Sequence, residues 1–272
     1  MNIASLPMYD LDELVRATDA WWAGLAAHMR REGIVDVPET LVRPDQLEAH
    51  WMSPGLLFSQ TCGYPLTHHL RGRVQLVGLP VYAAGGCYPD GFYSSAIVVP
   101  AASGIHALAD CRQRRAVYNT PDSMSGLLAL RLAAKAESER LGLDSGKPFF
   151  GSLNPSGAHL RSLEAVASGD AEVATIDAVT MALVSRSQPR LAGAVRVLGY
   201  SPRVPGLPYI TSLRTPAATV TRLRTALRNA MTDPVLAPVR AELMLAGICF
   251  PETASYDLIL ELENEAASWP LA

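Results

Sequence analysis

The chain has only four cysteines, Cys62, Cys87, Cys111 and Cys249, and no two of them form a C-x-x-C pair. That argues against a structural zinc site, which usually draws its ligands from such pairs. Cys62 in "QTCGYP" and Cys87 in "GGCYPD" both sit in Gly-, Tyr- and Pro-rich loops. They either meet as a disulfide or stay as two free thiols, and the sequence leaves both open. His68 and His69 are adjacent but lack a third ligand at a usable spacing, so no metal or other cofactor is expected.

Positive charge is scarce too. The longest basic run is "RQRR", residues 112–115, and the net charge is -3 with a pI near 6.1. No basic stripe interleaves with aromatics, so no nucleic-acid partner is expected. Apolar runs such as "SSAIVVPAASG" are short and broken by Pro and Gly, so no membrane span is expected either. The opening "MNIASLPMYD" lacks the basic, apolar and small-residue regions of a secretory leader. As written, the chain is expected in the cytoplasm, or in the periplasm if a leader has been removed. There is no G-x-S-x-G, G-x-x-x-x-G-K-[ST], G-x-G-x-x-G or H-E-x-x-H, so no catalytic residue is assigned. No fixed-period repeat or low-complexity segment appears.

What remains is a well-filled interior. Hydrophobic residues make up 49% and charged residues 18%, enough for one large domain or two lobes. Strand-length apolar runs alternate with helix-period segments. "NIASLPM", "GLLFSQ", "VQLVGLPVY", "FYSSAIVVP", "RAVYN", "EVATI" and "AVRVLGYSP" read as strands. A helix is expected over "DLDELVRATDAWWAGLAAHMRREG", with Asp10 as N-cap and Gly33 after its end. Others are expected over "SGLLALRLAAKAESERLG", over "HLRSLEAVAS" and after "EVATI", and the chain from about Thr215 onward reads as mostly helical. The alternation predicts an α/β protein with largely parallel sheets. Strand-then-Pro changeovers near Val99 and Ser201 predict two lobes, residues 1–98 plus 203–272 and residues 99–202.

The chemistry concentrates in two loops. "NTPDSMSG" runs from Asn119 through Ser123, Met124 and Ser125 to Gly126, at the mouth of a helix. Hydroxyls beside unpaired first-turn N–H groups, at the positive end of a helix, receive an anion without Lys or Arg. Ser is also a preferred cap, and from the local sequence alone capping is the stronger reading. "NPSGAHL" repeats the grammar with Ser156 and His159. Both loops are expected beyond the carboxyl ends of strands, where ligands of open α/β sheets bind. Asp177 follows a buried strand at the same edge and reads as a ligand acceptor or as another cap. Tyr9 after the first strand, and Gln60 and Thr61 after "GLLFS", are the candidates of the other lobe.

In order and spacing, "NTPDSMSG", "SGAHLRSLEAVASGDAEVATID" and "SPRVPGLPYIT" resemble the substrate-binding proteins of phosphate, phosphite and phosphonate ABC importers. The resemblance implies the type II periplasmic binding protein fold: two α/β lobes, two hinge strands and a cleft that closes on its ligand. It implies ligand contacts from Ser123, Ser125, the backbone near Gly126, and His159, with Tyr9, Gln60 and Thr61 from the first lobe and Asp177 toward an amine. Members often read Ser-Thr-Ser where this chain has Met124 in the middle, and His159 stands one residue further from its glycine. The expected function is a solute-binding protein for a small anionic or zwitterionic ligand of phosphonate or phosphate type, partnered by an ABC permease and ATPase. The alternative is a biosynthetic enzyme on the same fold, of the menaquinone- or thiamine-precursor type.

Overall fold

A computed structural model describes residues 2–144, 146–267 and 269–271. Along the chain run β1 (Ile3–Ala4), α1 (Val15–Arg31), α2 (Leu47–Trp51), β2 (Leu56–Gln60), α3 (Gly63–His68), β3 (Val74–Tyr82), β4 (Phe92–Tyr93) and β5 (Ser95–Pro100). Next come β6 (Arg115–Tyr118), α4 (Ala129–Arg140), β7 (Ser152–Pro155), α5 (His159–Ser168), β8 (Val173–Asp177), α6 (Ala178–Ser187), α7 (Pro189–Gly193) and β9 (Val195–Tyr200). The chain ends with β10 (Val204–Pro205), β11 (Tyr209–Ser212), α8 (Ala217–Thr232), α9 (Ala237–Glu242), β12 (Leu245–Cys249) and α10 (Asp257–Ala266).

The chain divides into two compact units. The first comprises Met1–Ala83, Tyr88–Phe92 and Pro205–Tyr256, and the second Ala84–Cys87, Tyr93–Val204 and Asp257–Ala272. These differ from the expected 1–98 plus 203–272 and 99–202 chiefly at the C-terminus. There Leu271 joins the second unit's core and its carbonyl accepts from Phe150 N at 2.9 Å.

Each unit has one five-stranded sheet, ordered β1-β2-β11-β3-β12 in the first and β7-β6-β8-β5-β9 in the second. Neither is largely parallel, which corrects the sequence expectation. In the first sheet only β1–β2 is parallel, and β11 runs antiparallel to both neighbours. In the second, β6 is parallel to β7 and β8, while β5 is antiparallel to β8 and β9. A parallel neighbour needs a long crossover, usually a helix. β5 and β11 each follow directly on a strand of the separate two-stranded sheet β10-β4, and each lies antiparallel to both neighbours in its five-stranded sheet.

The α1 helix buries Ala17, Trp21, Trp22, Leu25 and Met29, a stripe at helical spacing. Trp22 meets Phe58 of β2 at 6.0 Å between ring centroids, and Phe58 meets Tyr209 of β11 at 4.8 Å. Asp10 is not the cap of this helix: it accepts from Arg43 Nε at 2.7 Å, and a 3-10 turn at Asp12–Leu14 precedes α1. The second unit packs Ile97 and Val99 of β5, Leu130 and Ala134 of α4, Val173 of β8, and the edge-to-face pair Phe149–Phe150. All four cysteines are free thiols, so Cys62 and Cys87 are not bridged.

One side chain repairs a defect in the first sheet. The β11–β3 register slips between Tyr209↔Gly78 and Ile210↔Leu76, leaving Val77 as an extra residue. Arg224 of α8 supplies the missing donors, with Nε to Val77 O at 3.1 Å and Nη2 to Leu76 O at 3.0 Å. Arg224→Met keeps the apolar stem and strands two partly buried carbonyls. It is expected to cost about 1–3 kcal/mol, read as a lower urea midpoint with an unchanged slope. Arg224→Lys is expected to recover only part, because one ammonium does not reproduce the planar fork. An unchanged midpoint in Arg224→Met would remove this role.

Candidate functional site

The parallel trio β7-β6-β8 aligns three strand ends on one edge of the second unit. Beyond them lie Asn119 after β6, Ser156 after β7, and Asp177 closing β8. The first two loops are laced together. Ser156 N donates to Tyr118 O at 2.7 Å and Gly157 N to Asn119 O at 2.8 Å. The Ser156 hydroxyl contacts the Tyr118 and Ala158 carbonyls and lies 2.6 Å from Ser162 Oγ, so its bonding is internal. Gly157 has φ +90°, a conformation that favours glycine.

The helix that "NTPDSMSG" enters does not begin as an α-helix. Met124–Leu128 form a π turn, with Leu128 N donating to Ser123 O at 3.2 Å, before α4 continues. Ser123 is the N-cap, its Oγ accepting from Gly126 N at 3.0 Å, so the capping reading holds for this residue. The Ser123 hydroxyl proton is left to donate elsewhere. From β8, Thr175 Oγ1 donates to Gly126 O at 2.6 Å. A Cβ at Gly126 would meet Asn119 Oδ1 at 1.7 Å, so any larger residue there would displace the Asn119 amide. Met124 is buried.

These constraints bring Ser125, Asn119 and His159 together. Ser125 Oγ lies 2.8 Å from His159 Nε2, and Asn119 Nδ2 lies 3.3 Å from the same nitrogen. The amide NH2 only donates, so Nε2 is the acceptor and the neutral ring carries its proton on Nδ1. Asn119 Oδ1 is shut from water without a hydrogen-bond partner, and His159 Nδ1 is likewise shut from water. Burial drives the His159 pKa down to about 4, an effect that the Thr175 backbone only partly offsets. The pair superficially matches a nucleophile and its base. The base, however, is weak, and the group beside its ring is the Thr175 backbone, with no carboxylate to stabilise a charged imidazole.

Asp177 is fully buried, and its Oδ1 accepts from Val179 N at 2.8 Å and Thr180 N at 3.0 Å, capping α6. Burial, then the Asp177 charge, pushes the Cys87 thiol up to about 12, so Cys87 stays protonated. In the first unit, Tyr9 sits edge-on to Tyr82 at 5.2 Å, and Gln60 Nε2 donates to Leu207 O at 3.0 Å and contacts Tyr82 Oη at 3.3 Å. Thr61 N donates to Pro208 O at 3.1 Å, and its side chain is buried. Sequence reasoning missed Thr175 and Tyr82. A threonine inside a strand and an aromatic at a strand end are ordinary strand residues, and neither carries a local signal. No group of three or more His, Cys, Asp or Glu side chains able to hold a metal occurs among the described residues.

Comparison with solved structures defines the class first. A binding-protein component of an ABC phosphonate transporter from Pseudomonas aeruginosa superposes with TM-score 0.76 at 18% identity, covering 98% of this chain and 86% of its own. PhnD1 from Prochlorococcus marinus, solved with methylphosphonate, gives TM-score 0.77 at 12% identity, covering 98% of each chain. A Xanthomonas citri protein bound to chloride ion gives 0.69 at 18% identity, covering 98% of this chain and 97% of its own. The fold is that of the type II periplasmic binding proteins. Residues 56–252 match the family of ABC-transporter phosphonate periplasmic substrate-binding proteins, and the chain belongs to that family. No curated protein matches the chain.

The His159 pKa makes stability pH-dependent with a definite sign. Unfolded histidine titrates near 6.5 and the folded ring near 4, so between these values the unfolded state binds more protons. Stability from this group is therefore present above pH 6.5 and lost as pH falls toward 4. Compared with His159→Gln, the wild type is expected to lose up to about 1.4 kcal/mol per pH unit within that window, measured by urea unfolding. Parallel pH profiles would show that the ring is not held neutral.

Proposed function

We propose that this chain is a receptor for a small phosphonate- or phosphate-like anion, acting in the periplasm as the solute-binding component of an ABC importer. The observation that carries the reading is the Ser125–His159–Asn119 cluster, set on a π turn whose glycine leaves room for the Asn119 amide. Family membership supports it, as does the methylphosphonate held by the Prochlorococcus relative. No helix of the described residues is long and apolar enough to cross a membrane, in keeping with a receptor that hands its ligand to a separate permease.

Recognition at this cluster works through dipoles. The ring of His159 is neutral, so the anion is balanced by first-turn N–H groups and hydroxyls at the positive end of α4. Ser123 keeps a hydroxyl proton to donate. Ser125 spends its own on His159 while its oxygen can accept, so a ligand bearing both an ionised oxygen and a P–OH finds a partner for each. A ligand lacking one of these leaves a buried polar group unpaired, and discrimination rests on that.

Calorimetric titration with methylphosphonate, phosphite and phosphate tests the reading. Saturable binding of at least one is expected. Ser125→Ala and His159→Gln are each expected to weaken it about tenfold or more, the scale of a lost charge-assisted hydrogen bond. Binding of none of the three, or unchanged affinity in both variants, would remove the proposal. Gln60→Ala in the same titration tests the ligand contact that the family resemblance gives to the first unit.

A further inference from the structure

A groove of about 320 Å³ lies in the first unit, away from the residues discussed above. Its floor and sides include Ile34, Val35, Leu56 and Leu57, and its polar lining includes Arg214 and Arg222. Leu56 begins β2 and Gln60 ends it, so the groove and the Gln60–Thr61 pair belong to opposite ends of the strand, about 13 Å apart.

Three features make this groove more than a dent. No acidic side chain lines it, although two guanidinium groups do. Arg222 Nη1 donates to Gly33 O at 3.0 Å, which fixes the side chain at the wall, and no other contact of its guanidinium appears among the described residues. The Arg214 side chain is exposed and makes no hydrogen bond or ion pair among the described residues. Beside these charges, Val35 is 75% exposed in the turn after α1, where Gly33 (φ +76°) and Asp36 (φ +54°) both take left-handed backbone. Such a conformation is unfavourable at Asp36, so the turn that holds an apolar side chain in the open is maintained at a cost.

We propose that this groove is a second ligand site, for a small amphipathic anion: an acid head on the two arginines and a short aliphatic body on Ile34, Val35 and Leu57. Two like charges without a counter-charge are relieved by an anion between them, and guanidinium pairs with a carboxylate or phosphate in a planar fork. The apolar floor excludes water from one side and strengthens the attraction. A volume near 300 Å³ is the lower end of the range for small-ligand pockets. The proposal is independent of the anion site on the second unit and goes beyond the importer role.

Ligand-observed NMR titration of the full chain with hexanoate tests it, with acetate and 1-hexanol as probes of charge and of body alone. Hexanoate is expected to saturate and to bind more tightly than either control. The double variant Arg214→Gln, Arg222→Gln is expected to weaken it about tenfold, two exposed charge contacts together, while it still unfolds in one cooperative thermal transition. Excess methylphosphonate is expected not to displace it. No saturable hexanoate binding, equal affinity in the double variant, or displacement by methylphosphonate would each overturn the second site. Tighter binding of an acidic, leucine-containing tetrapeptide than of hexanoate would overturn the small-ligand assignment in favour of a protein partner.

Discussion

The hydrogen bond from Thr175 Oγ1 to Gly126 O, at 2.6 Å, is the contact on which the candidate site turns. It ties the first widened turn of one helix to the middle of a neighbouring strand. In an α-helix each residue advances about 100° around the axis. The π turn inserts an extra residue before the regular pitch begins, so Ser125 and the residues of α4 take different rotational settings than one continuous α-helix would give them. Ser125 meets His159 while Leu128, Ala129 and Leu130 still pack inward. The Gly126 carbonyl accepts from both Ala129 N and Thr175 Oγ1, so the strand braces the turn from the side.

The electrostatic consequence follows from burial. A charged imidazole near an anion would add attraction, but it would have to be carried in a dehydrated position when the ligand is absent. The fold avoids that cost by keeping His159 neutral, which in the proposed reading leaves recognition to oriented dipoles. Such a site discriminates by the count and direction of hydrogen bonds more than by net charge. The unpartnered Asn119 Oδ1 fits this pattern, since it is a buried polar atom whose pairing the protein itself does not complete.

Much of this was legible in the sequence, and the reasons for the remainder are physical. Strands dense in Val, Ile and Leu, and glycines ending helices, stand where expected: Gly33, Gly142 and Gly169 all have positive φ. The Ser-Met-Ser-Gly and Ser-Gly-Ala-His stretches fall at adjacent strand ends, because hydroxyl and glycine residues at a helix mouth mark a local geometry. Strand direction was not legible, since a buried strand has the same composition whichever way its neighbour runs. β7 and β12 escaped notice because "SLNP" and "LAGIC" are short and carry Pro or Gly. Asp10 looked like a cap from spacing alone, but Arg43, 33 residues away, offers the carboxylate a stronger partner. The π turn left no local mark, and the hydroxyl that braces its Gly126 carbonyl lies 49 residues downstream at Thr175.

Met124 shows how the turn changes the meaning of a motif. A threonine at the middle of a Ser-x-Ser start would place a hydroxyl at a position that here is only 1% exposed. A thioether suits that environment, since it fills irregular apolar space and needs no hydrogen-bond partner. Ser123 on one side is engaged as the cap, and Ser125 on the other meets the imidazole. Met124 therefore leaves the Ser123 cap and the Ser125–His159 contact in place. It exchanges a polar interior position for an apolar one and leaves the two flanking serines to define the chemistry of the helix mouth.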